Sequence, residues 1–230
     1  LITGASRGFG RAVARSLAER GWSLVIDARS VDALEAGRDQ LLDRGAAEVS
    51  VHAGDITDPA HRQQLAESVH DGPLDLLVNN ASQLGPSPQP NLRDYPLDTW
   101  RYVYEVNVLA PLALTQLLLP SLRAGNGIVV NLSSDAAVAP YEGWGGYGSS
   151  KAALDQWSAV IATEEPQLRV YAFDPGDMRT QMHQEAFPGE DISDRPEPET
   201  VVPALLRLLV ERPASGRYLA SRLLTQDAVA

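Results

Sequence analysis

Stretches of strand length alternate with stretches of helical periodicity along most of this 230-residue chain. The strand-like stretches are SLVID (23–27), AEVSVHAGD (47–55), LDLLVNNA (74–81), GIVVNLSS (127–134), LRVYAFDPG (168–176) and GRYLA (216–220). Several are continuous apolar runs, as expected for parallel strands that are buried on both faces. Helix-like segments separate them. The pattern therefore predicts an α/β fold, a doubly wound parallel sheet with helices on both faces.

Turn residues mark where the predicted helices begin and end. Gly21, Gly45 and Gly125 follow helical segments, so we expect each to adopt a left-handed conformation. Asp58 and Pro59 stand where a helix is expected to start. The acidic, proline-rich stretch FPGEDISDRPEPET (187–200) has no such periodicity. It is interpreted as part of a mobile surface loop over residues 183–200 that covers a substrate and leads into a last helix at 201–211.

Composition limits the classes of partner. The net charge is −11 at pH 7, whereas a nucleic-acid site needs a basic face, so we predict no nucleic-acid partner. No uninterrupted apolar run reaches the roughly 18 residues that a membrane helix needs, so we predict no membrane partner. The chain has no cysteine, which excludes disulfides and cysteine metal sites.

The first residues, LITGAS, lack the basic and apolar stretches of an export signal, which favours a cytoplasmic location. We interpret LIT as the end of a buried strand, and expect residues to be missing before Leu1. His52, His61 and His70 recur every nine residues but would not converge on one face of a helix or strand. They are interpreted as surface residues, and no metal site is predicted.

Tyr147 and Lys151 stand four residues apart in GWGGYGSSKAAL (143–154), where a helical segment begins. Residues i and i+4 share one face of a helix, so the phenol and the ammonium are expected side by side. A free tyrosine has a pKa of about 10, and a neighbouring ammonium favours the phenolate and lowers that pKa. Such a tyrosine can serve as a general acid or base. A core tyrosine followed by a surface lysine would produce the same spacing by chance.

A glycine-rich turn, LITGASRGFG, places Gly4, Gly8 and Gly10 between a strand and a helix. Glycines allow a tight turn there and let a phosphate approach the N-terminus of the helix. A turn with a purely structural role is the alternative interpretation.

Six short motifs fall in the order and spacing of one known family. They are Thr-Gly-x-x-x-Gly-x-Gly, Asn79-Asn80-Ala81, Asn107, Ser134, Tyr147-x-x-x-Lys151 and Pro175-Gly176. Over nearly its whole length, the chain resembles the short-chain dehydrogenase/reductase family. The stretches TGASRGFGR, NLSS and DPGDMRTQM are most similar to the group of sepiapterin reductase and its bacterial relatives. The resemblance implies a single Rossmann domain over residues 1–230, an NAD(P)-dependent oxidoreductase, and a homodimer or homotetramer.

The resemblance also implies roles for individual polar residues. Tyr147 would be the general acid when a ketone or aldehyde is reduced, and the base when an alcohol is oxidised. Lys151 would lower the pKa of Tyr147 and hold the nicotinamide ribose, and Ser134 would bind the substrate oxygen. Asn107 would hold a water that relays protons to Lys151, and a buried asparagine at a helix kink is the second interpretation of this residue. Ser133 is interpreted as structural.

Residues of several turns are implied as the cofactor site. They are Gly4, Ser6, Arg7, Gly8, Phe9, Gly10, Arg29, Asp55, Ile56, Asn79, Asn80, Ala81, Tyr147, Lys151, Pro175, Gly176, Met178 and Thr180. Asp55 would meet the adenine amino group, with a helix N-terminal acid as its alternative role. Asn79 would pack beside the adenosine.

The choice between NADP and NAD depends on the end of the second strand, LVIDARS (24–30). An acidic residue there binds the ribose 2′-hydroxyl and selects NAD, whereas arginine favours the 2′-phosphate of NADP. The family register puts Ala28 at the discriminating position and Arg29 next to it, and Arg7 would supply a second cation. We therefore predict NADPH as the preferred cofactor. NAD remains the alternative if Asp27 reaches the ribose.

Leu84, Tyr141, Trp144 and Met182 are predicted to line an apolar or aromatic substrate pocket, with ordinary packing as the alternative, and His183 is a further candidate for substrate contact. Sepiapterin reductase anchors its pterin through an aspartate near the C-terminus, where this chain has Ala220. A small ketone or diketone is therefore as plausible a substrate as a pterin. The chain also departs from the family pattern at Ser82, where the family usually has glycine.

Two other functions fit the same fold. A non-catalytic NAD(P)-binding regulator or scaffold would share the glycine turn, but such proteins tend to lose the tyrosine or the lysine, and both are present here. An epimerase or dehydratase of the related longer fold would need an additional C-terminal substrate domain, for which this chain is too short.

Overall fold

The computed structural model describes residues 1–69 and 72–225 and contains a parallel sheet between two layers of helices. The strands are β1 (Ser23–Ala28), β2 (Glu48–Ala53), β3 (Leu76–Asn79), β4 (Ile128–Leu132), β5 (Arg169–Asp174) and β6 (Gly216–Leu219). The helices are α1 (Gly8–Ala18), α2 (Val31–Asp43), α3 (Pro59–Ser68), α4 (Leu97–Tyr104), α5 (Ala110–Ala124), α6 (Gly145–Glu164), α7 (Gln181–Ala186), α8 (Pro198–Glu211) and α9 (Ala220–Thr225). The predicted doubly wound α/β fold is confirmed.

The first residues of the chain occupy the centre of the sheet. Ile2 forms parallel bridges with Ile26 of β1 on one side and Val78 of β3 on the other. The order across the sheet is therefore β2, β1, residues 1–3, β3, β4, β5 and β6, with every pairing parallel. The chain leaves this central position in both directions, which creates a switch point where open α/β sheets bind ligands beyond the carboxyl ends of their strands.

Two hydrophobic layers flank the sheet because successive strand residues point to opposite faces. On β3, Val78 packs in the layer formed by α1, α2 and α8, whereas its neighbour Leu77 packs in the layer formed by α3, α5 and α6. Both side chains are fully buried. The continuous apolar runs of the sequence are thus explained by burial on both faces, as expected.

Most of the predicted helix ends are found, with one correction. Gly21 and Gly45 have φ angles of +74° and +106°, whereas Gly125 has a φ of −89°, and Asn126 adopts the left-handed conformation instead. Asparagine tolerates that conformation better than most residues. Gly125 is needed for space, because a Cβ there would lie 2.8 Å from the carbonyl oxygen of Leu74. As predicted, α3 begins at Pro59.

The segment predicted as a loop over residues 183–200 is shorter in the structure. Residues 183–186 belong to α7, because the Thr180 hydroxyl caps that helix by accepting from the His183 backbone N–H at 3.2 Å. At the other end, α8 starts at Pro198, a residue well suited to a first helical turn. The last predicted helix therefore begins three residues early, and α9 follows β6 as a further helix.

A continuous helical stretch runs from Leu97 to Ala124 through α4, a π-helical segment at Glu105–Leu109, and α5. By length and mean hydropathy it is the one described helix that could cross a membrane, although 44% of its most apolar window is buried within the fold. Leu114, Leu118 and Leu122 pack there against the sheet. This is the packing of a core helix.

Candidate active site

A cleft of about 1050 Å³ runs along the carboxyl edge of the sheet, at the switch point. Its lining extends from Arg29 at the end of β1, past the glycine turn, to Ala186 in α7. Its volume is at the upper end of the range of about 300–1,000 Å³ that small-molecule sites occupy. The cleft therefore offers room for an extended ligand.

The glycine turn forms one wall of the cleft. Gly4 and Gly8 have φ angles of +64° and +54°, which L-residues rarely adopt. In the part of the chain that the structure describes, no side chain caps α1, whose N-cap residue is Arg7. The N–H groups of the first turn therefore remain available to an anionic ligand such as a phosphate.

The side chain of Asn80 is hydrogen-bonded to the backbone of this turn. Its side-chain Nδ2 donates to the carbonyl oxygens of Thr3 at 2.8 Å and Gly4 at 3.1 Å. Gly10 belongs to the same packing, because a Cβ there would lie 2.5 Å from Asn80 Nδ2 and 2.7 Å from the Gly4 oxygen. Gly10 therefore allows the close approach of α1 to the strand ends.

Ser134, Tyr147 and Lys151 meet in the middle of the cleft. Tyr147 and Lys151 lie on successive turns of α6, and Lys151 Nζ is 5.5 Å from the centre of the Tyr147 ring. Lys151 Nζ also donates to the Leu132 carbonyl oxygen at 2.6 Å. Ser134 follows β4, and its hydroxyl lies 3.0 Å from Asp135 Oδ1. The i, i+4 geometry predicted for the pair is present.

Burial controls the ionisation of the tyrosine and the lysine. It raises the pKa of Tyr147 to about 12, although hydrogen bonds with Ser82 and Ser134 act in the opposite direction. It also lowers the pKa of Lys151 to about 8, against the attraction of the Asp155 carboxylate. The net lowering of the Tyr147 pKa that was expected from Lys151 is not found in this state, because loss of solvent around the phenolate outweighs the other effects. At neutral pH, Tyr147 is a protonated phenol.

Asn107 lies within the π-helical segment and is 1% exposed. Its Oδ1 accepts from the Gln83 N–H at 2.7 Å and from the Ser82 hydroxyl at 3.1 Å. Its Nδ2 donates to the Gln83 carbonyl oxygen and to the Ser150 hydroxyl, both at 2.9 Å. These four bonds use the full capacity of the amide. The Asn107 side chain therefore acts as the buried asparagine at a helix kink that was the second interpretation. A water that relays protons would have to bind the main-chain carbonyl of Asn107.

Comparison with known proteins identifies the family. The family model described as short chain dehydrogenase matches residues 1–191. The chain belongs to this family. It is 38% identical over 186 residues to serine 3-dehydrogenase of Rhizobium radiobacter, covering 79% of this chain and 72% of that relative. It is 36% identical over 197 residues to sepiapterin reductase of Rattus norvegicus, covering 80% and 75%.

A third relative covers more of the chain. It is the benzil reductase of Saccharomyces cerevisiae that forms (S)-benzoin, 34% identical over 215 residues, which are 90% of this chain and 79% of the relative. Among solved structures, a short-chain dehydrogenase of Shigella flexneri complexed with NADP has a TM-score of 0.89 and 29% identity, covering 96% of this chain and 95% of that chain. These members of the family are oxidoreductases, and this chain is an NAD(P)-dependent oxidoreductase of the same family.

Most residues predicted from the family motifs line the cleft. They are Gly4, Ser6, Arg7, Gly8, Phe9, Arg29, Asp55, Ile56, Asn80, Ala81, Leu84, Ser134, Trp144, Tyr147, Lys151, Pro175, Gly176, Met178, Thr180 and Met182. Gly10, Asn79, Asn107 and Tyr141 lie outside the lining.

The contacts of Asn79 and Tyr141 explain why these two residues do not line the cleft. Asn79, predicted to pack beside adenosine, is 5% exposed and donates to Thr115 and Asn131 inside the sheet. Tyr141, predicted to contact substrate, is 48% exposed, and its hydroxyl donates to Asp135 Oδ2 at 2.8 Å. Asp135, which the sequence did not single out, lines the cleft instead.

The far end of the cleft is aromatic. Trp144 lies edge-on to Tyr147 at 5.8 Å between ring centres, and Phe187 lies at the same distance from Trp144. His183 lines the cleft, and its ring is tilted by 42° against that of Phe187, with 4.9 Å between the ring centres. Apolar Leu84 and Met182 pack around the catalytic tyrosine candidate. This end suits a substrate with a flat apolar group.

The histidines correct another expectation. His61 was expected at the surface but is 4% exposed and lies 2.6 Å from Asp27. His52 is half-buried beside Ser50, at 2.9 Å. His70 lies outside the described residues. The nine-residue spacing of the histidines could not show that His61 is buried. Which face of α3 points inward is decided by the packing of that helix on β1 and β2.

Arg217 on β6 is the main site residue that the motifs missed. Its guanidinium donates to Asp155 Oδ2 at 3.0 Å, to Asp174 Oδ2 at 2.8 Å and to the Ser134 carbonyl oxygen at 2.9 Å. Asp174 in turn accepts from the Gly176 N–H at 3.0 Å. One side chain thus connects the serine, the helix of Lys151 and the Pro175-Gly176 turn. An arginine in a strand otherwise free of charge, GRYLA, was the only available signal.

Proposed function

We propose that this chain is an NADPH-dependent carbonyl reductase in which Tyr147 is the proton donor. The convergence of Ser134, Tyr147 and Lys151 in the same cleft as the glycine turn carries this proposal. A non-catalytic binding protein would not need a buried lysine 2.6 Å from a strand carbonyl beside a protonated tyrosine.

The proposal also includes assembly into a homodimer or homotetramer, because Leu109 and Leu117 on one helical stretch and Val160 on α6 are exposed apolar residues.

The cleft fits a pyridine dinucleotide. The uncapped first turn of α1 would receive its pyrophosphate, and Arg29 and Arg7 would flank a 2′-phosphate. Structures similar to this chain support NADP, including the alcohol dehydrogenase of Thermococcus sibiricus complexed with 5-hydroxy-NADP, with a TM-score of 0.84 and 29% identity over 95% of this chain and 93% of that chain. When bound, the reduced nicotinamide supplies the hydride.

The chain's own residues would manage the proton and the developing charge. As negative charge develops on the substrate oxygen during reduction of the carbonyl, Tyr147 Oη would transfer its proton to that oxygen and be left as a phenolate. The ammonium of Lys151 stabilises the resulting phenolate. Ser134 donates a hydrogen bond to the substrate oxygen after turning from Asp135, and so stabilises negative charge. Alcohol oxidation would use the same residues in reverse.

The aromatic end of the cleft favours an aryl ketone or a diketone as substrate. Trp144 lines the cleft beside Tyr147 and offers flat apolar surface, and Phe187 packs against Trp144. The relative that reduces benzil, a diaryl diketone, supports this class. Pterin reduction is less well supported, because Ala220 is buried and has no carboxylate to anchor a pterin.

The direct test is loss of NADPH absorbance with a panel of aryl ketones, diketones and sepiapterin. We expect turnover of at least one aryl ketone or diketone, faster with NADPH than with NADH. Binding of NADPH without turnover of any carbonyl on the panel, or of the matching alcohols with NADP+, would instead support a binding protein. Light scattering of the same preparation would test the proposed assembly.

The rate of reduction is expected to fall as pH rises through about 8. Burial lowers the pKa of Lys151 to about 8, so the ammonium is present below that pH and lost above it. Tyr147, with a pKa of about 12, stays protonated over the same range and cannot cause the fall. Initial rates between about pH 6 and pH 10 would show it.

Lys151→Arg is the control for this pH dependence. Guanidinium keeps its charge over the whole of this pH range, so the variant should be slower but should not show the fall near pH 8. An unchanged fall in the variant would assign the titration to another group.

A further inference from the structure

Near the end of β1, one residue before the position that discriminates NAD from NADP, the carboxylate of Asp27 is paired with a histidine. Asp27 is 2% exposed and borders the cleft next to Ala28 and Arg29. Its Oδ1 lies 2.6 Å from Nε2 of His61, which is 4% exposed and belongs to the first turn of α3. This buried pair joins two elements that are 34 residues apart in sequence.

The surrounding structure holds the imidazole in place. Pro59 starts α3, and the Asp58 carboxylate caps it by accepting from the Ala60 N–H at 2.9 Å, which directs His61 inward. The ring lies against Gly54, where a Cβ would be only 2.2 Å from His61 Nδ1. Gly54 itself borders the cleft and bonds the Ala28 carbonyl oxygen at 3.0 Å. The imidazole therefore fits only because residue 54 has no side chain.

We infer that His61 is a specificity-determining residue, which secures the preference for NADP by holding the Asp27 carboxylate inside the wall of the cleft. Held there, the carboxylate is turned away from the ribose 2′ position, and Arg29 faces that position instead. The inference rests on the proposed function, because it requires the cleft to bind a pyridine dinucleotide. It assigns part of the discrimination between NADP and NAD to His61, a residue that does not line the cleft.

The charge of the Asp27 carboxylate explains why its pairing with His61 would affect binding of the 2′-phosphate of NADP. A carboxylate free to face the cleft would repel a 2′-phosphate and accept a hydrogen bond from a 2′-hydroxyl. Burial raises the pKa of Asp27, while its hydrogen bond with His61 acts in the opposite direction and raises the pKa of His61. Without His61, the buried carboxylate would keep its hydrogen bond with the Gly4 backbone but lose its side-chain partner, which is unfavourable. It would then turn towards water in the cleft.

The experiment is the affinity of the cofactor-free protein for NADP+ and NAD+, measured by calorimetry, which needs neither substrate nor turnover. For His61→Leu, we expect the preference for NADP+ over NAD+ to fall by roughly 10- to 100-fold. The double variant D27N/H61L has no carboxylate to release, so its preference should return close to that of the wild type. His61→Gln can still donate to Asp27 and should also keep the preference.

Controls separate this inference from a general defect. His52→Leu removes the neighbouring histidine, which is bonded to Ser50, and should leave the preference unchanged. If His61→Leu does not fold, the Asp27→Asn and His61→Gln proteins still decide, because both must retain the preference for NADP+. Its loss in either, or an unchanged preference in folded His61→Leu, overturns the inference and leaves the proposed function intact. Failure of the wild-type protein to bind either nucleotide overturns both.

Discussion

Replacing Tyr147 by phenylalanine is expected to lower kcat/KM for carbonyl reduction by about 10²- to 10⁴-fold and to leave the affinity for NADPH nearly unchanged. The variant loses only the hydroxyl that would protonate the substrate oxygen. The ring, and with it the edge contact to Trp144 at 5.8 Å, remains. Steady-state kinetics together with calorimetric binding of NADP+ would separate the loss of chemistry from a loss of binding.

Tyr141→Phe is the matched control. Its hydroxyl also lies near the site, where it donates to Asp135 at 2.8 Å, but Tyr141 is outside the cleft lining. We expect a change in kcat/KM of only a few fold. Comparable losses in the two variants, or full activity in Tyr147→Phe, would show that Tyr147 is not the proton donor.

Replacing Arg217 by methionine is expected to lower the free energy of unfolding by about 3–5 kcal/mol, because it leaves buried carboxylates without their partner. The Asp174 and Asp155 side chains are 5% and 16% exposed, and both pair with this guanidinium. The Ser134 carbonyl would lose its donor as well. Urea denaturation would measure the loss of stability.

Arg217 should also affect catalysis as a positioning residue. We expect kcat in the folded methionine variant to fall by about 10-fold or more, with a smaller change in NADP+ affinity, because Ser134 is displaced. Arg217→Lys keeps the charge but not the geometry of the guanidinium, so it should recover part of both losses. A purely structural role would lower stability and leave kcat of the folded variant unchanged.

An exposed ion pair serves as the control for Arg217. Arg101 donates to Asp98 at 2.6 Å, with side-chain exposures of 72% and 98%. Arg101→Met should change the free energy of unfolding by less than about 1 kcal/mol, since exposed pairs contribute little. An equal loss in both variants would mean that burial is not what makes Arg217 important.

Local features of this chain were predictable because neighbouring residues alone produce them. Tyr147 and Lys151 share a face of α6 because a helix repeats every 3.6 residues. The apolar runs predict buried parallel strands because a strand that is covered on both faces needs apolar side chains at successive positions. The glycine turn before α1 likewise follows from a few adjacent residues. The family motifs then placed these features in one cleft.

Contacts between distant segments were not predictable in this way. Arg217 reaches Asp155 across 62 residues and Asp174 across 43 residues, and no spacing rule connects them. Asn79 and Asn80 are adjacent in one motif, yet the first points into the sheet and the second to the glycine turn. A strand alternates its faces, and only the packed structure decides which face meets the cleft.

The amino-acid sequence by itself therefore determined the doubly wound fold, the glycine turn and the pairing of Tyr147 with Lys151, because each depends on local periodicity or local backbone conformation. Only the tertiary structure decided that Tyr147 is held as a neutral phenol, since its pKa of about 12 follows from burial. It likewise decided that the Asp27 carboxylate is bound by His61. Burial and long-range pairing come from how the layers pack, and no single segment contains that information.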